Sequence, residues 1–573
     1  MDNGMKKERK TRPAPPPGQE AGVPPFRVPP VELPPVDFDS LTLDWGQYAG
    51  KWKKSEDSSY YELKFVYYCS KVVSPEHQYI NIFVPSPYLN EDGSVNTKNR
   101  IGPYTGRTAP IVLHNNCGGW RSSIPLNVKT EITGQGLAYL KEGFVYISVG
   151  ARSRGLKEGI GKAPAPVVDQ KAAVRFLRLH DDKIPGCKDR IFSTGGSGGG
   201  QMSSALGATG NMPVFYPELY KIGAAGIEKT ADGGYISTIP DDILGSNCYC
   251  PIADIENADA AFAWQFYDSG FAEADEFGAR KKLSPFMLAL QDDLARAYCR
   301  YIADLNLKSP SGEPLAFDRN ADGSWNPRSG SYYRQILNNL SECFNKFIAY
   351  HRADDGTFSF VRRIGFDGRI EKSYPSVEAF ISDLPNAHEW LKRERDGSYS
   401  VTDIAGMLRS TGAFRGKVCP AFDSLWYVGE NDAFGCPEED AVHFSRINAR
   451  VMKENLPRYS RLEGFEDADV TCYIEEAQRE DIARQAYLMN ATRIMLNKAA
   501  GREKTDISPF WRIRSGTHDQ FCSYPVTYNL AVAASMAGAQ VDYSLIWFGN
   551  HGDLDGEGTG TICQWIHKVC QKS

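Results

Sequence analysis

The sequence lacks the features of a membrane or secreted protein. It contains no run of eighteen apolar residues, so a transmembrane helix is not expected. Its first ten residues, MDNGMKKERK, carry positive charge, but no apolar segment follows them, which argues against a signal peptide. We therefore expect a cytoplasmic protein that does not associate with membranes.

Patterns for metal, cofactor and nucleic-acid binding are missing as well. The 573 residues include only 9 histidines and contain neither a CxxC pair nor an HExxH run, so we expect no metal site. The 13 cysteines follow no repeated spacing, which favours mainly reduced, buried thiols. No nucleotide-binding glycine motif occurs, and we expect no cofactor. The net charge of −6, with both signs spread along the chain, excludes the basic stripe of a nucleic-acid-binding protein.

What the sequence does have is the composition of a large globular protein. Apolar residues make up 42% and aromatic residues 12% of the chain, which is long enough for an extensive core. Residues 1–36 are rich in proline and poor in large apolar side chains. This composition predicts a disordered tail, although its proline runs could also be ligands for a partner protein.

Short apolar runs predict buried parallel strands near both ends of the chain. Two such runs, 109–116 and 143–151, are followed by a helical pattern at 167–184. Two more strands are predicted at 509–517 and 541–551, with a helical pattern between them. Strands that alternate with helices indicate a parallel α/β sheet.

The α/β alternation stops in the middle of the chain. We therefore assign residues 45–265 and 506–573 to an α/β core. Residues 266–505 are charged, aromatic and mainly helical in pattern. The simplest interpretation is a large insertion that forms a cap over the carboxyl edge of the sheet.

A glycine-rich segment, STGGSGGGQMSS at residues 193–204, matches the pattern G-x-S-x-G around Ser197. A short strand is predicted before it and a helix after it. Such a turn holds a serine at strained dihedral angles with its hydroxyl exposed, and small neighbours avoid clashes with the adjacent strand and helix. We therefore interpret Ser197 as a nucleophile rather than as part of a flexible or phosphate-binding loop.

A serine nucleophile needs a base, and the base needs an acid that orients it. When the serine occupies such a turn, the acid and the histidine come later in the chain, each after a strand. Asp519 follows the predicted strand at 509–517, and His551 follows the next strand. His518 is a weaker alternative base, since it adjoins Asp519 and would point to the opposite side of the turn.

Backbone N–H groups near Ser197 are candidates to bind an oxyanion. The N–H of Gly198 lies at the start of the predicted helix. A second donor is expected from the loop HNNCGGWRSS, in which Gly118 and Gly119 allow a close approach of the backbone, although an ordinary surface turn would have a similar sequence. We interpret Cys117 in the same loop as a packing residue.

With these residues in place, the chain resembles the bacterial tannase family of α/β hydrolases over residues 60–567. The resemblance is carried by six motifs in order: VVDQKAAVRFLR, GGSGGGQMSSALGATGN, YCPIADIENADAAFAWQF, KVCPAFDSLWYVGENDAFG, FWRIRSG and WFGNHGD. It implies an α/β-hydrolase fold with a mostly parallel central sheet and a large, mainly helical cap. It also implies hydrolysis of galloyl esters through a Ser-Asp-His triad that maps to Ser197, Asp519 and His551.

The resemblance extends to the residues that bind the acyl group. Tannases hold the gallate hydroxyls with a lysine, a glutamate and a second aspartate, and the segment GKVCPAFDSLWYVGEN matches the first two with Lys417 and Glu430. Both could equally be ordinary surface residues. The position of the second aspartate is Phe521, whose ring accepts no hydrogen bond from a hydroxyl. We therefore expect this chain to discriminate differently among phenolic acids.

These observations predict a serine carboxylesterase that acts on small-molecule esters of aromatic or phenolic acids through an acyl-enzyme. Two alternatives stay open. One is a serine peptidase of the same fold, although neither a propeller repeat nor a clear pair of glutamates for a substrate amino terminus is found. The other is a non-catalytic, hydrolase-like protein that binds ligands with its aromatic-rich cap. The sequence does not predict an oligomeric state.

Overall fold

The computed structural model describes residues 31–127, 130–276, 279–364, 368–418, 420–427, 429–439, 441–552 and 554–572. Most of the predicted proline-rich tail, residues 1–30, lies outside the described residues. Residues 31–36 form neither helix nor strand. Within them, Leu33 and Val36 pack against a small buried cluster that includes Tyr67.

In the described part of the chain, nine strands form one central sheet, which confirms the predicted α/β class. The strands are β1 (Lys53–Lys54), β2 (Tyr60–Tyr67), β3 (Tyr79–Pro85), β4 (Ile111–Asn115), β5 (Val145–Val149), β6 (Ile191–Gly196), β7 (Gly245–Tyr249), β8 (Phe510–Gly516) and β9 (Gln540–Ile546). Their order across the sheet is β1-β2-β3-β5-β4-β6-β7-β8-β9. Strands β4 to β9 run parallel to one another, and β1 to β3 form an antiparallel edge.

The central strands are buried on both faces. Strand β5 is entirely buried, as expected for the continuous apolar runs of a parallel sheet covered by helices. Helix α3 (Gly198–Ala208) packs on β6 and β7, and helix α15 (Tyr524–Met536) packs on β8 and β9. The helices of the N-terminal part are α1 (Gly134–Lys141), α2 (Ala165–Leu179), α3 (Gly198–Ala208) and α4 (Tyr216–Lys221), and those of the C-terminal part are α15 (Tyr524–Met536) and α16 (Ile562–Cys570).

The chain between β7 and β8 contains helices and short hairpins. Within the described residues, none of its strands joins the central sheet. The helices are α5 (Ala258–Gln265), α6 (Pro285–Leu305), α7 (Ser331–His351), α8 (Val377–Asp383), α9 (Ala387–Trp390), α10 (Ile404–Thr411), α11 (Arg446–Tyr459), α12 (Asp467–Glu476), α13 (Glu480–Leu488) and α14 (Ala491–Ala499). The hairpins pair Glu273–Glu276 with Ala279–Lys282, Phe317–Arg319 with Trp325–Gly330, Phe358–Ile364 with Gly368–Tyr374, and Leu391–Arg393 with Tyr399–Val401.

Two further hairpins lie before β7 and also stay outside the sheet. They pair Arg100–Ile101 with Tyr104–Thr105, and Ile227–Lys229 with Tyr235–Ser237. Among the helices that the structure describes, none combines the length and the apolar composition that crossing a membrane requires. Every cysteine among the described residues is a free thiol.

Candidate functional site

Ser197 occupies the turn between β6 and α3. Its backbone has φ 57° and ψ −123°, a region that residues other than glycine rarely adopt. The Ser197 N–H donates to the carbonyl oxygen of Tyr249 on β7 at 3.0 Å, and the N–H of Gln201 donates to the Ser197 carbonyl at 2.9 Å. Such a conformation costs about 1–3 kcal/mol and persists only where the surroundings enforce it. The turn is thus a strained strand-to-helix connection with the serine at its apex.

Glycines beside Ser197 let this turn lie against the loop that follows β4. A Cβ atom on Gly198 would lie 2.2 Å from the carbonyl oxygen of Cys117 and 2.7 Å from the backbone nitrogen of Trp120. Trp120 in turn donates its indole N–H to the side-chain oxygen of Gln201 on α3. The two backbone segments are therefore in direct contact, and any side chain at position 198 would push them apart.

This contact brings together two of the three predicted oxyanion donors. The same Cβ position on Gly198 lies 3.2 Å from the backbone nitrogen of Gly119. Within the described residues, the N–H groups of Gly198, Gly118 and Gly119 donate to no backbone carbonyl. Gly118 is exposed, and a side chain there would meet nothing within 4 Å. Gly119 therefore lies beside Gly198, whereas Gly118 lies on the outside of the loop.

Asp519 and His551 are hydrogen-bonded to each other. His551 Nδ1 lies 2.8 Å from Asp519 Oδ1 and 3.0 Å from Oδ2. Oδ1 also accepts the backbone N–H groups of Phe521 at 2.9 Å and Cys522 at 2.8 Å. The Asp519 side chain is fully buried, while that of His551 is 12% exposed. The carboxylate is thus fixed by the backbone and holds the imidazole in one orientation.

The loops after β8 and β9 are paired, and this pairing positions the two side chains. The N–H of Thr517 donates to Ile546 O at 2.9 Å, and that of His518 donates to Gly549 O at 3.0 Å. A Cβ on Gly516 would lie 2.0 Å from the Gly549 carbonyl oxygen, so this position requires glycine. The sequence therefore brings both loops together at the carboxyl edge of the sheet.

Ser197 lies at the same edge of the sheet. One strand, β7, lies between the strand that precedes Ser197 and the strand that precedes Asp519. Strands β6, β7 and β8 are neighbours, and Gly196 pairs with Tyr249, which pairs with Arg514. Among the described residues, the Ser197 hydroxyl makes no hydrogen bond with His551. In enzymes without ligand, the bond between nucleophile and base is often long and tightens when substrate binds.

A cysteine lies next to the Asp519–His551 pair. The Sγ atom of Cys250, a carboxylate oxygen of Asp519 and a ring nitrogen of His551 all lie within 4.8 Å of one another, so these residues could in principle hold a metal ion. Burial, and then the nearby Asp519, raise the pKa of the Cys250 thiol well above its usual range. Asp519 already accepts hydrogen bonds from His551 and from two backbone N–H groups. These hydrogen bonds and the protonated thiol disfavour metal ligation.

His518, the alternative base, is held away from this pair. Its Nε2 lies 3.1 Å from the carbonyl oxygen of Thr411, and its Nδ1 lies 3.0 Å from Thr517 Oγ1. Burial, and then the positive charge of Arg362, lower the pKa of His518 to about 3. Both nitrogens face local partners, and the ring stays neutral at ordinary pH.

Lys417 and Glu430 form an ion pair near the site. Lys417 Nζ lies 2.7 Å from Glu430 Oε1, and the two side chains are 15% and 11% exposed. Burial by itself would raise the pKa of Glu430, but the positive charges of Lys417 and Arg154 lower it. Lys417 Nζ also lies 4.6 Å from the centre of the Phe422 ring. The pair is thus a charged, nearly buried unit rather than two surface residues.

Phe521 connects this ion pair with the histidine. Its ring packs edge-on against the His551 imidazole, with 5.2 Å between ring centres. A Cβ on Gly416 would lie 2.8 Å from Phe521 Cε1, and the Gly416 N–H donates to Gln520 O at 3.0 Å. Gly416 directly precedes Lys417 in the sequence. The Phe521 ring therefore contacts His551 and lies close to the backbone that carries Lys417.

Sequence reasoning missed a buried acid that shapes this region. Asp259 on α5 accepts the backbone N–H groups of Ala421, Phe422 and Asp423, at 2.5, 2.6 and 3.0 Å. Asn448 Nδ2 donates to the same carboxylate at 2.8 Å. Asp259 lies in the motif YCPIADIENADAAFAWQF, but nothing in that motif indicates that its partner is a loop more than 160 residues away.

Comparisons with known proteins bear on the fold of the chain. The family model BD-FAE, an α/β-hydrolase family, matches residues 101–230. Among curated proteins, no sequence matches the chain. The structural neighbours include a tannase from Fusobacterium nucleatum, with 24% identity, a TM-score of 0.68, and coverage of 91% of this chain and 98% of that one.

Two further neighbours are tannin acyl hydrolases. The native structure of the enzyme from Lactobacillus plantarum has 23% identity and a TM-score of 0.68, with 92% of this chain and 98% of that chain covered. A tannin acyl hydrolase in complex with ethyl gallate has 24% identity and a TM-score of 0.66, with coverage of 89% and 94%. The resemblance indicated by the motifs is thereby confirmed, and the chain has the α/β-hydrolase fold of the bacterial tannases.

Proposed function

We propose that the protein is a serine carboxylesterase that hydrolyses esters of aromatic or phenolic acids. Ser197 Oγ attacks the ester carbonyl carbon while its proton passes to His551 Nε2, and Asp519 stabilises the imidazolium that forms. The tetrahedral intermediate expels the alcohol, which takes the proton from His551. Water then attacks the acyl-enzyme with His551 as base, which releases the acid and restores Ser197.

One observation carries this proposal. An Asp519–His551 pair, joined at 2.8 Å, lies at the same edge of a parallel sheet as a serine at φ 57° between a strand and a helix. Each feature by itself occurs in proteins without catalytic activity. Their combination supplies a strained nucleophile, a base and an orienting acid in the chain order expected for this fold.

The backbone around Ser197 supports a site for the oxyanion. Gly198 lies at the N-terminus of α3, where N–H groups carry no helical partner. Gly119 lies beside it with its own N–H group free of a backbone acceptor. We assign these two as donors, and Gly118 as a residue that shapes the loop. Removal of one such donor typically costs 10²–10³ in kcat.

The acyl pocket that we propose is lined by Lys417, Glu430 and Phe521. Among the structural neighbours, one tannin acyl hydrolase is in complex with ethyl gallate and another with 3,4-dihydroxybenzoate. The Lys417–Glu430 pair offers a donor and an acceptor to adjacent ring hydroxyls. Phe521 offers only an apolar edge next to His551. We therefore propose that phenolic acyl groups with fewer hydroxyls than gallate are accepted at least as well.

Residues 266–505 would then act as the cap of this site. Two contacts support this role: the Gly416 N–H donates to Gln520 O at 3.0 Å, and the Gly155 N–H donates to Asp432 Oδ2 at 2.7 Å. The same region carries Lys417 and Glu430. Segments on both sides of the catalytic edge are thus in contact with the inserted chain.

The proposal is tested by active-site labelling together with a substrate panel. A fluorophosphonate should label the protein, and the label should be lost in Ser197→Ala but retained in Ser94→Ala, which changes an exposed serine in a turn. Hydrolysis should be measured with the methyl esters of gallate, protocatechuate and ferulate and with a p-nitrophenyl ester. A folded protein that is neither labelled nor active on any of these would overturn the esterase assignment and favour a binding protein.

A further inference from the structure

Arg154 lies between the loop of Gly119 and the segment that carries Glu430. Its Nε donates to the carbonyl oxygen of Gly119. A Cβ on Gly119 would come within 3.3 Å of Arg154 Nη2, and one on Gly429 would come within 3.1 Å of Nη1. The guanidinium therefore fills the space between the two loops, where side chains at either glycine would displace it.

The outer nitrogens of Arg154 have no partner in the part of the chain that the structure describes. Within the described residues, neither Nη1 nor Nη2 makes a hydrogen bond or an ion pair. The carboxylates nearby already have cations of their own: Glu430 is paired with Lys417 at 2.7 Å, and Asp432 is paired with Lys162 at 2.8 Å. Arg154 is partly exposed, so an acceptor on a ligand can reach these N–H donors.

A second arginine without a partner lies beside the first. Arg121 follows the Gly118–Trp120 turn and is bridged through its backbone to Arg154. Burial lowers the pKa of Arg154, the negative charge of Glu430 opposes this, and the positive charge of Arg121 lowers the pKa further. In the part of the chain that the structure describes, the Arg121 side chain makes no hydrogen bond or ion pair, and it is partly exposed.

Two positively charged side chains thus lie on one side of this loop. The like charges of Arg121 and Arg154 repel each other, while Glu430 and Asp432 attract Arg154. Both arginines border the loop that carries the candidate oxyanion donor Gly119. An anion bound between them would relieve the repulsion and would lie next to the reacting ester.

We propose that Arg154 and Arg121 bind a free carboxylate of the substrate, so that the preferred ester carries an anionic group in addition to the bond that is cleaved. This inference rests on the proposed esterase function and specifies its substrate class. A guanidinium presents parallel N–H donors that match the two oxygens of a carboxylate. The carboxylate belongs either to the leaving alcohol or to the acyl ring, and its recognition is chemically the same in both cases.

Two matched pairs of esters test the proposal with the full-length protein. The first pair is 4-carboxyphenyl and phenyl 3,4-dihydroxybenzoate, which differ only in a carboxylate on the leaving group. The second pair is the monomethyl ester of benzene-1,3-dicarboxylic acid and methyl benzoate, which differ only on the acyl ring. In one of the pairs, kcat/KM for the carboxylated ester should exceed that for the neutral ester about tenfold, and this ratio should fall as salt is added.

The ratio of the two kcat/KM values separates recognition from damage to the fold. Arg154→Gln and Arg121→Gln should each bring the ratio of carboxylated to neutral ester towards one. Arg154→Lys should retain part of the preference for the carboxylated ester. Arg300→Gln, which changes the net charge equally at an exposed position of α6, should leave it at the wild-type value. A preference for the neutral ester in both pairs, or a ratio that survives in Arg154→Gln, would overturn the proposal.

Binding to Ser197→Ala distinguishes failure of this inference from failure of the esterase function. Calorimetry should show that benzene-1,3-dicarboxylate binds more tightly than benzoate, or 4-hydroxybenzoate more tightly than phenol, and that Arg154→Gln removes the difference. If no ester is hydrolysed but this difference is present, the carboxylate site stands and the esterase function fails. Equal binding within both pairs rejects the carboxylate site whatever the activity.

Discussion

The hydroxyl of Tyr249 donates to Asp555, while the carbonyl of the same tyrosine accepts the N–H of Ser197. One residue at the end of β7 thus contacts both the turn that carries the proposed nucleophile and the loop that follows His551. Asp555 is further held by Arg512 Nη2 at 2.9 Å and by the N–H of Ile562 at 2.9 Å. These contacts join the two halves of the site through the sheet itself.

Tyr249→Phe should slow catalysis without unfolding the protein. The substitution removes the hydrogen bond to Asp555 and the one that Arg512 Nη1 donates to the hydroxyl at 3.3 Å, but it keeps the backbone bond to Ser197. The loop after His551 therefore loses one of its anchors. We expect a three- to tenfold loss in the rate of fluorophosphonate labelling, equivalent to about 1 kcal/mol. Tyr67→Phe is the matched control, because the buried Tyr67 hydroxyl has no hydrogen-bond partner among the residues that the structure describes. Labelling of Tyr249→Phe at the wild-type rate would show that this contact does not position the site.

Asp519→Asn should nearly abolish turnover while the protein stays folded. Asparagine keeps the size of the side chain but presents an N–H donor where His551 donates, so the imidazole is no longer held in its productive form. A loss in kcat of about 10⁴ is expected for an acid in this role. Steady-state hydrolysis of a p-nitrophenyl ester measures it, with circular dichroism as the test of folding. The control is Asp542 on β9, a partly exposed residue that pairs with Arg514. Asp542→Asn should retain activity.

Phe521→Asp should change the preference among acyl groups. A carboxylate at this position adds an acceptor for a ring hydroxyl near the Lys417–Glu430 pair. We expect the ratio of kcat/KM for methyl gallate to that for methyl benzoate to rise about tenfold, equivalent to about 1.4 kcal/mol. Phe521→Leu keeps an apolar side chain and should leave the ratio unchanged. An equal loss on both substrates in Phe521→Asp would mean that the ring serves packing against His551 and not specificity.

His518→Gln should keep esterase activity and reduce the sensitivity of the fold to acid. The folded protein holds the pKa of His518 at about 3, below the value of 6.5 for an exposed histidine. Because the unfolded chain takes up this proton first, stability is lost as the pH falls from about 6.5 towards 3, by up to about 1.4 kcal/mol per pH unit. Urea unfolding between pH 7 and pH 5 should therefore show a smaller decline for His518→Gln than for the wild type.

The exposed His388 provides the control for this experiment. His388→Gln should decline with pH as the wild type does. An identical pH dependence for all three proteins would contradict the burial argument for His518. Loss of esterase activity in His518→Gln, with the fold intact, would instead return His518 to consideration as the base.

The sequence predicted the central sheet well, because its strands have patterns that depend only on burial. The runs at 109–116 and 143–151 contain β4 and β5, and the pattern at 167–184 overlaps α2. The turn at Ser197 was also recognisable, since strand, glycines and helix are contiguous in the chain. The region between β7 and β8 was predicted as mainly helical, and its hairpins were missed because strands such as Ala279–Lys282 and Gly368–Tyr374 carry charged residues in place of a continuous apolar run.

Contacts between distant segments could not be predicted. Nothing near Asp259 indicates that its carboxylate binds the backbone of residues 421–423. Nothing near Arg154 indicates that its guanidinium lies against Gly429. Cys250 illustrates the same limit. In a regular strand the thiols of Cys248 and Cys250 would lie on the same face. A φ of 46° at Cys250 interrupts the extended backbone, and the Cys250 sulfur lies near Asp519. These features arise from tertiary packing and leave no local pattern.

The separation of β7 and β8 also affects how the molecule is made. The two strands are hydrogen-bonded neighbours, yet about 260 residues of chain lie between them. During synthesis, one side of β7 therefore exposes unpaired N–H and C=O groups until β8 leaves the ribosome. Closing so long a loop makes this pairing a slow step of folding. The pairing of β7 with β8 is thus a point at which the nascent chain is vulnerable to aggregation.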